Sequence, residues 1–212
     1  MTNSRETILG RIRAGLTREG TAPTEGPPEV RLRPVAVSPE ARVAMMLERV
    51  EGVGGVAVRV ADLALAREYV AGLTQGMETV ASNSEYLAAA GISKLPGVRT
   101  GFTVESDVRE ACASAQFGIT SADYGLVDTG TLVLLSSSEA RLASLLPPIH
   151  IVVVPVTRLL GSLDELFERV PHPADIASSM VFVTGPSRTG DIELQLVRGV
   201  HGPGDLYVVL VG

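Results

Sequence analysis

Three polar stretches of this sequence carry the side chains best suited to chemistry, and each adjoins strand-like sequence. They read ITSADYGLVDTGTLVL (residues 119–134), GPSRTGDIE (185–193) and RGVHGPGDLYVVLV (198–211). Open α/β sheets bind their ligands at strand ends and helix starts, which is where we expect these stretches to lie. Together they indicate a ligand-binding cleft, although turns and caps also explain each stretch alone.

The stretch GPSRTGDIE lies between the strand-like run MVFV and the apolar run IELQLV, and we interpret it as the start of a helix. Ser187 or Thr189 could cap that helix by accepting a hydrogen bond from a first-turn N–H. Arg188 is a cation at an end where the helix dipole disfavours positive charge, unless an anion lies between them. The stretch is therefore either a structural cap or an anion-binding site formed by Ser187, Arg188 and Thr189.

Asp128 and His201 are the candidate proton-handling residues. Asp128 precedes Thr129 and Gly130 in a predicted turn, so it either forms an Asx turn or serves as a general base, nucleophile or ligand contact. His201 is followed by glycine and proline in a predicted loop, and functional histidines are often found on loops. We expect Asp123 to be structural.

Other nucleophiles and metal ligands are sparse. His150 and His172 are expected at the surface or at a strand edge, and the three histidines lack metal-ligand spacing, so we expect no metal site. In SNSEYL (residues 82–87), Asn83 and Ser84 are expected to cap a helix, and a contact with a ligand is the alternative. The single cysteine, Cys112, is expected to be a small buried residue and cannot hold an iron–sulfur cluster alone. No serine lies in a GxSxG motif, so a serine hydrolase is not indicated.

Composition excludes several classes of protein. A chain of 212 residues with 45% hydrophobic and 20% charged residues suits one α/β domain with an arm. A net charge of −6 and only 4% aromatic residues argue against a nucleic-acid-binding surface. The apolar runs have strand length, and the first residues lack the apolar core of a signal peptide, so we expect a cytoplasmic protein.

The pattern of elements predicts an α/β fold. Apolar residues at helical spacing predict a short helix near residues 8–16, followed by a Pro- and Gly-rich arm; residues 1–37 form this N-terminal segment. Ser38 then predicts a helix N-cap, and strands alternate with helices from there on. The second half is richer in strands, and a turn at residues 128–130 predicts a hairpin. We therefore expect a central mixed sheet, with short helices near residues 162–170, 173–180 and 188–197.

The three stretches in this order, with the last at the C-terminus, resemble the LUD-domain family, specifically its lactate-utilisation protein C branch. The resemblance covers residues 38–212. It implies a three-layer α/β/α fold similar to the sugar-phosphate isomerase and coenzyme A transferase superfamily. It also implies a role in bacterial oxidation of L-lactate to pyruvate, with iron–sulfur clusters in partner subunits and none in this chain.

The resemblance leaves the chemistry of this subunit open. In one hypothesis its cleft binds an anionic small molecule: Ser187, Arg188 and Thr189 hold the anion beside Thr129 and Gly130, and Asp128 and His201 handle protons. Asp128 stands where related coenzyme A transferases have a glutamate, but it is one methylene shorter. The alternatives are a non-catalytic assembly or regulatory subunit, and an independent transferase or ligase acting on a coenzyme A or folate-like substrate. The arm could support a homo-oligomer.

Overall fold

A computed structural model describes residues 4–15, 37–103, 105–136, 141–192 and 195–212 of the chain. The chain divides into two compact units, Met1–Arg33 and Pro34–Gly212. The described residues of the first unit form the helix α1 (Ser4–Gly15), which agrees with the predicted N-terminal helix and leaves Ile8 and Ile12 exposed. The predicted extended arm lies in residues 16–36, outside the described residues.

The second unit alternates helices and strands. Its helices are α2 (Pro39–Gly52), α3 (Leu63–Thr74), α4 (Glu85–Ala89), α5 (Glu105–Ser114), α6 (Leu163–Arg169) and α7 (Pro173–Ile176). Its strands are β1 (Val56–Val60), β2 (Thr79–Ala81), β3 (Val98–Arg99), β4 (Phe117–Ser121), β5 (Tyr124–Leu126), β6 (Thr131–Ser136), β7 (Ile149–Pro155), β8 (Leu159–Leu160), β9 (Ser179–Val183), β10 (Arg188–Ile192), β11 (Gln195–Arg198) and β12 (Asp205–Val211).

Six strands form a central sheet in the order β1-β12-β7-β4-β2-β3, and every neighbouring pair is parallel. The apolar runs of β7 and β12 alternate between its two faces. Val152 and Val208 pack with α2 on one face, whereas Val153 and Val209 pack with α3 and α4 on the other. This burial on both faces is typical of parallel sheets covered by helices.

The helices that cover the sheet begin at side-chain caps. Ser38 accepts a hydrogen bond from Ala41 N at 3.3 Å and so caps α2, as the sequence predicts. Asp62 accepts one from Leu65 N at 2.9 Å and caps α3. Among the described residues, no helix is long and apolar enough to cross a membrane.

A second sheet has the order β8-β5-β6-β9 and is mixed: β6 pairs with β5 and β9 in antiparallel fashion, whereas β5 pairs with β8 in parallel. β5 and β6 pair in antiparallel fashion through the turn at residues 127–130, which confirms the predicted hairpin. The predicted α/β class, with a central sheet flanked by helices, is confirmed. The mixed pairing, however, occurs in the second sheet, and the central sheet is wholly parallel.

The helix predicted after GPSRTG is wrong, because this stretch leads into a hairpin of β10 and β11. The run IELQLV places Ile192, Leu194 and Leu196 at every second position. A spacing of two is the period of a strand, whereas a helix has a period of 3.6. In a run of six residues, the spacing of apolar positions alone does not distinguish a strand from a helix.

Gly118 is required by the packing on β4. A Cβ at this position would lie 1.8 Å from the carbonyl oxygen of Ala143, whereas a Cβ at Gly72 in α3 meets nothing within 4 Å. We therefore expect Gly118→Ala to lower the free energy of unfolding by about 3 kcal/mol through overpacking. The control Gly72→Ala should raise it by about 0.5–1 kcal/mol, because alanine favours the helix. Urea unfolding of both variants measures this, and equal stabilities would contradict the packing.

Candidate functional site

A cavity of about 390 Å³ lies between the carboxyl end of the central sheet and the second sheet. This volume falls within the range of about 300–1,000 Å³ that is typical of small-molecule sites. Its walls are mostly polar and come from both sheets and from the segments that follow their strands. The lining residues are Ser82, Ser84, Glu85, Tyr86, Thr120, Ser121, Asp123, Leu134, Leu135, Ser136, Arg141, Ser144, Arg158 and Val181.

The topology explains why polar residues meet here. β2, β4 and β7 are parallel, so their carboxyl ends reach the same edge of the sheet. Ser82 directly follows β2, Ser121 ends β4, and Arg158 ends the short helical turn after β7. Ligands of open α/β sheets bind outside this edge.

Arg158 is held in place by the chain around it. Its Nη1 donates a hydrogen bond to the carbonyl oxygen of Ala122 at 3.0 Å, and its guanidinium carbon lies 5.6 Å from the ring centre of Tyr86. A guanidinium has five N–H donors, and the structure describes a hydrogen bond for one atom of this group. No described residue accepts a hydrogen bond from its other N–H groups, so these groups can bind a ligand in the cavity.

Asp123 joins the two sheets and lines the same cavity. Its main-chain N–H donates to Val133 O at 2.9 Å, and its Oδ2 accepts from Leu135 N at 2.7 Å. Burial raises the pKa of its carboxyl, while the Leu135 hydrogen bond and the charge of Arg158 act in the opposite direction. Asp123 is therefore structural, as expected, and also a polar group of the cavity.

Hydroxyl groups supply the remaining polar surface. Ser84 and Ser121 share a hydrogen bond of 2.7 Å. The Oγ of Ser82, which is 9% exposed, has no partner among the described residues. Ser84 also caps α4, as predicted, through Tyr86 N at 3.2 Å. These hydroxyls can donate or accept, so the cavity favours a polar ligand.

His150 lies behind the cavity wall, so the expected place at the surface or at a strand edge is wrong. It is in the middle of the central sheet and 1% exposed, and its Nε2 lies 2.9 Å from the hydroxyl of Thr120. Its Nδ1 has no partner among the described residues. Burial lowers the pKa of His150 to about 4, so the imidazole is neutral at physiological pH.

The predicted site residues Asp128, Thr129 and Gly130 lie outside the lining of the 390 Å³ cavity. Asp128 and Thr129 are exposed in the turn between β5 and β6, where Thr129 Oγ1 donates to Asp128 Oδ1 at 3.3 Å. Hydroxyl contacts continue from Thr129 to Thr131 at 2.8 Å and from Thr131 to Thr184 at 2.9 Å. Gly130 has a φ of 71° and lies against α2, so its position in the turn is a packing requirement.

Asp128, Thr129 and Thr131 border a separate cavity of about 260 Å³. Its other walls are largely apolar and include Leu163 and Phe182. None of the seven predicted site residues lines the 390 Å³ cavity. Their roles in catalysis or binding stay predictions.

The polar stretches 185–193 and 198–211 contact each other, but the first of them leads into strand β10 and not into a helix. Ser187 N donates to Pro203 O at 2.8 Å, and Ser187 O accepts from Gly199 N at 3.0 Å. His201 is exposed in the loop between these partners. Ser187 therefore lies next to the loop that carries His201, and a shared binding cleft stays a prediction.

Arg188 begins β10 and is exposed, and its Nη2 donates to the carbonyl oxygen of Val53 at the C-terminal end of α2. A cation complements the negative end of a helix dipole. The premise that Arg188 stands at an unfavourable helix N-terminus is therefore wrong.

The prediction from sequence omitted Arg158, Arg141, Thr120 and Ser121, whereas Ser82 lies in SNSEYL, for which a ligand contact was the alternative to a cap. These residues could have been recognised from polar residues that directly follow apolar strands, because such residues gather at one edge of a parallel sheet. SNSEYL after β2 is one example. Metal ligands are not gathered at the cavity or elsewhere in the part of the chain that the structure describes.

Cys112 is a buried residue, as predicted. Burial raises the pKa of its thiol, and the thiolate is the reactive form of cysteine. We therefore assign it to the core.

The buried imidazole predicts a loss of stability in acid. Because the pKa of His150 is lowered from 6.5 to about 4, the unfolded chain binds a proton in this range that the folded chain rejects. The free energy of unfolding should fall by roughly 3 kcal/mol from this group as the pH drops from about 6.5 to 4. Urea unfolding at a series of pH values should show a shallower loss for His150→Gln and an unchanged loss for the control His172→Gln. Equal slopes for His150→Gln and the unaltered protein would exclude this origin.

The contact of Arg188 with α2 predicts a role in stability. Arg188→Ala removes a hydrogen bond and a favourable charge from the helix end, so it should lower the free energy of unfolding by about 1 kcal/mol. Thermal unfolding with and without lactate and phosphate separates this role from anion binding. We expect a lower Tm with any ligand-induced shift retained, whereas loss of that shift would favour the predicted anion site.

Two curated relatives of this chain have the same name. Over 99 residues it is 40% identical to lactate utilization protein C of Halalkalibacterium halodurans, covering 44% of this chain and 43% of that protein. Over 112 residues it is 37% identical to lactate utilization protein C of Bacillus subtilis, covering 50% of this chain and 46% of that protein. The alignments thus span less than half the length of these relatives.

The fold also occurs in a solved structure, the crystal structure of a DUF162 family protein from Deinococcus radiodurans. The two share 18% sequence identity and superpose with a TM-score of 0.64, covering 83% of this chain and 99% of that chain. A family profile described as the LUD domain matches residues 43–211, which include both sheets and the whole cavity wall. The chain therefore belongs to the LUD domain family.

Proposed function

We propose that this protein takes part in lactate utilisation and binds a small carboxylate in the 390 Å³ cavity. The role rests on its similarity to two proteins named lactate utilization protein C. The observation that carries the ligand class is the guanidinium of Arg158, which the carbonyl oxygen of Ala122 and the ring of Tyr86 hold at the cavity. Arginine pairs with carboxylates through two parallel hydrogen bonds.

The charges around the cavity favour a ligand that carries both an anion and a neutral polar group. Arg141 and Arg158 supply two positive charges, and Asp123 and Glu85 supply two carboxyl groups. A ligand with a carboxylate and a hydroxyl could satisfy both kinds of group, and lactate has this composition. The serine and threonine hydroxyls add neutral hydrogen-bonding partners.

Oxidation of lactate to pyruvate releases two electrons and two protons, which must pass to an acceptor. An iron–sulfur cluster needs about four thiolate ligands, and this chain has a single, buried cysteine. We therefore assign the electron-carrying clusters to partner subunits and the handling of the small molecule to this chain. We place the system in the cytoplasm, where a free thiol such as Cys112 stays reduced.

The proposal predicts that Arg158→Gln loses ligand. Isothermal titration with L-lactate, pyruvate, phosphate and coenzyme A identifies the ligand class, and removal of the guanidinium should weaken carboxylate binding by about 10- to 100-fold. The control Arg109→Gln changes an exposed arginine of α5 outside the cavity lining and should bind normally. In cells, Arg158→Gln should impair growth on lactate.

Two outcomes would count against the proposal. Unchanged carboxylate affinity in Arg158→Gln would remove the cavity from consideration as the binding site. Binding of coenzyme A in preference to any small carboxylate would favour the transferase alternative.

A further inference from the structure

Arg158 and Asp123 hold opposite charges next to each other in the cavity wall. The guanidinium donates to the carbonyl oxygen of Ala122 at 3.0 Å, and that carbonyl is bonded directly to the nitrogen of Asp123. The charge of Arg158 also favours the ionised form of the Asp123 carboxyl. Both side chains line the 390 Å³ cavity, and the charge of one acts on the other.

The carboxyl group of Asp123 is fixed and keeps one oxygen for a ligand. Its backbone is held by Val133 O, and Oδ2 accepts from Leu135 N at 2.7 Å. No other residue that the structure describes donates a hydrogen bond to Oδ1, so this oxygen can accept one from a bound molecule. An ionised carboxylate has no donor of its own, so it selects a ligand group that carries a hydrogen.

The hydroxyl of Ser82 is a second feature that points to a polar ligand. It lines the cavity, it is buried, and no described residue hydrogen-bonds to it. An unsatisfied buried polar group destabilises a protein unless a ligand or water completes its hydrogen bond. Its position beside β2 completes a polar wall opposite the second sheet.

From this geometry we propose that Arg158 and Asp123 form a two-point site for 2-hydroxycarboxylates. Arg158 pairs with the carboxylate, and Asp123 Oδ1 accepts the hydrogen bond of the C2 hydroxyl. The inference rests on the proposed function and deepens it, because it states how the cavity distinguishes a hydroxy acid from the corresponding oxo acid.

The discrimination follows from hydrogen-bond chemistry. The C2 hydroxyl of lactate donates to an ionised Asp123, whereas the C2 oxygen of pyruvate is itself an acceptor and faces another acceptor. Propionate has no oxygen at this position and offers no hydrogen bond to Oδ1 of Asp123. Sites built around a substrate hydroxyl reject analogues that lack it. Because one hydrogen bond to a charged group is at stake here, we expect lactate to bind about 10- to 100-fold more tightly than either analogue.

The preference should depend on pH. Protonated Asp123 would donate to the keto oxygen of pyruvate, so the ratio of lactate to pyruvate affinity should fall as pH is lowered through the raised pKa of this carboxyl. Four other ionisable residues line the same cavity as Asp123: Glu85 and Tyr86 of α4, Arg141 of the turn after β6, and Arg158 of the turn after β7. His150 lies behind Thr120 in the central sheet. His150, with a pKa of about 4, stays neutral above pH 5.

The test is isothermal titration of the unaltered protein and of Asp123→Asn with L-lactate, pyruvate and propionate at pH 7.5 and pH 5.5. Asparagine keeps an oxygen for Leu135 N and offers an amide N–H to the ligand. We expect Asp123→Asn to lose the preference for lactate, to bind pyruvate at least as well, and to lose the pH dependence of the ratio. The control Asp175→Asn, exposed on α7, should retain both properties.

The outcomes separate this inference from the proposed function. If the three acids bind the unaltered protein equally and Arg158→Gln abolishes that binding, the carboxylate site stands and the role of Asp123 is wrong. An unchanged affinity ratio in Asp123→Asn overturns the inference in the same way. If none of the acids binds the unaltered protein, both the ligand class and the inference are wrong. A Ser82→Ala variant that binds lactate more weakly would extend the site to the hydroxyl beside β2.

Discussion

The burial of β7 and β12 on both faces is the constraint on which the rest of this structure depends. Ile151, Val152, Val153 and Val209 are all 0% exposed, although neighbouring residues along a strand point to opposite faces. Each such side chain contributes about 1.5–3 kcal/mol when it leaves water. Both faces must therefore be covered, and the sheet's carboxyl edge is left as the place where polar residues can gather.

The second sheet covers part of one face and creates the cavity where it meets this edge. Asp123 forms the junction, because it lies between β4 and β5, donates a hydrogen bond to Val133 O and accepts one from Leu135 N of β6. Burying a carboxyl group costs free energy, and a pKa raised by burial is the sign of that cost. The hydrogen bond from Leu135 and the charge of Arg158 offset part of it, so the sheet junction and the charge balance of the cavity depend on the same atoms.

The fold could be predicted from the sequence where a local pattern determines the element. The cap at Ser38, the apolar runs of β7 and β12 and the turn between β5 and β6 are such cases. β10 and β11 could not, because their alternating apolar positions are too few to exclude a helix. The division of strands between two sheets depends on long-range pairing, which local periodicity does not encode.

The candidate site was harder to predict, because its members come together only through that pairing. Arg158 meets Ala122 across 36 positions of sequence, and VTRLL gives no sign of this contact. His150 carries a polar ring in an apolar strand, a pattern that is typical of a strand edge, yet Thr120 of the neighbouring strand satisfies it inside the sheet. Asp123 could be recognised from the sequence as a carboxylate in an apolar stretch, where burial is costly. Its contacts with Leu135 and the charge of Arg158 could not be predicted.

A glycine on β4 links this core to the cavity. Gly118 lies opposite His150 in the sheet, and its missing side chain lets the carbonyl oxygen of Ala143 approach β4. Ala143 belongs to the short helical turn of residues 141–144, which also supplies Arg141 and Ser144 to the cavity wall. A side chain at residue 118 would displace this turn and move a guanidinium and a hydroxyl away from the ligand. The position of the turn, and with it the charge facing the second sheet, therefore depends on close packing inside the central sheet.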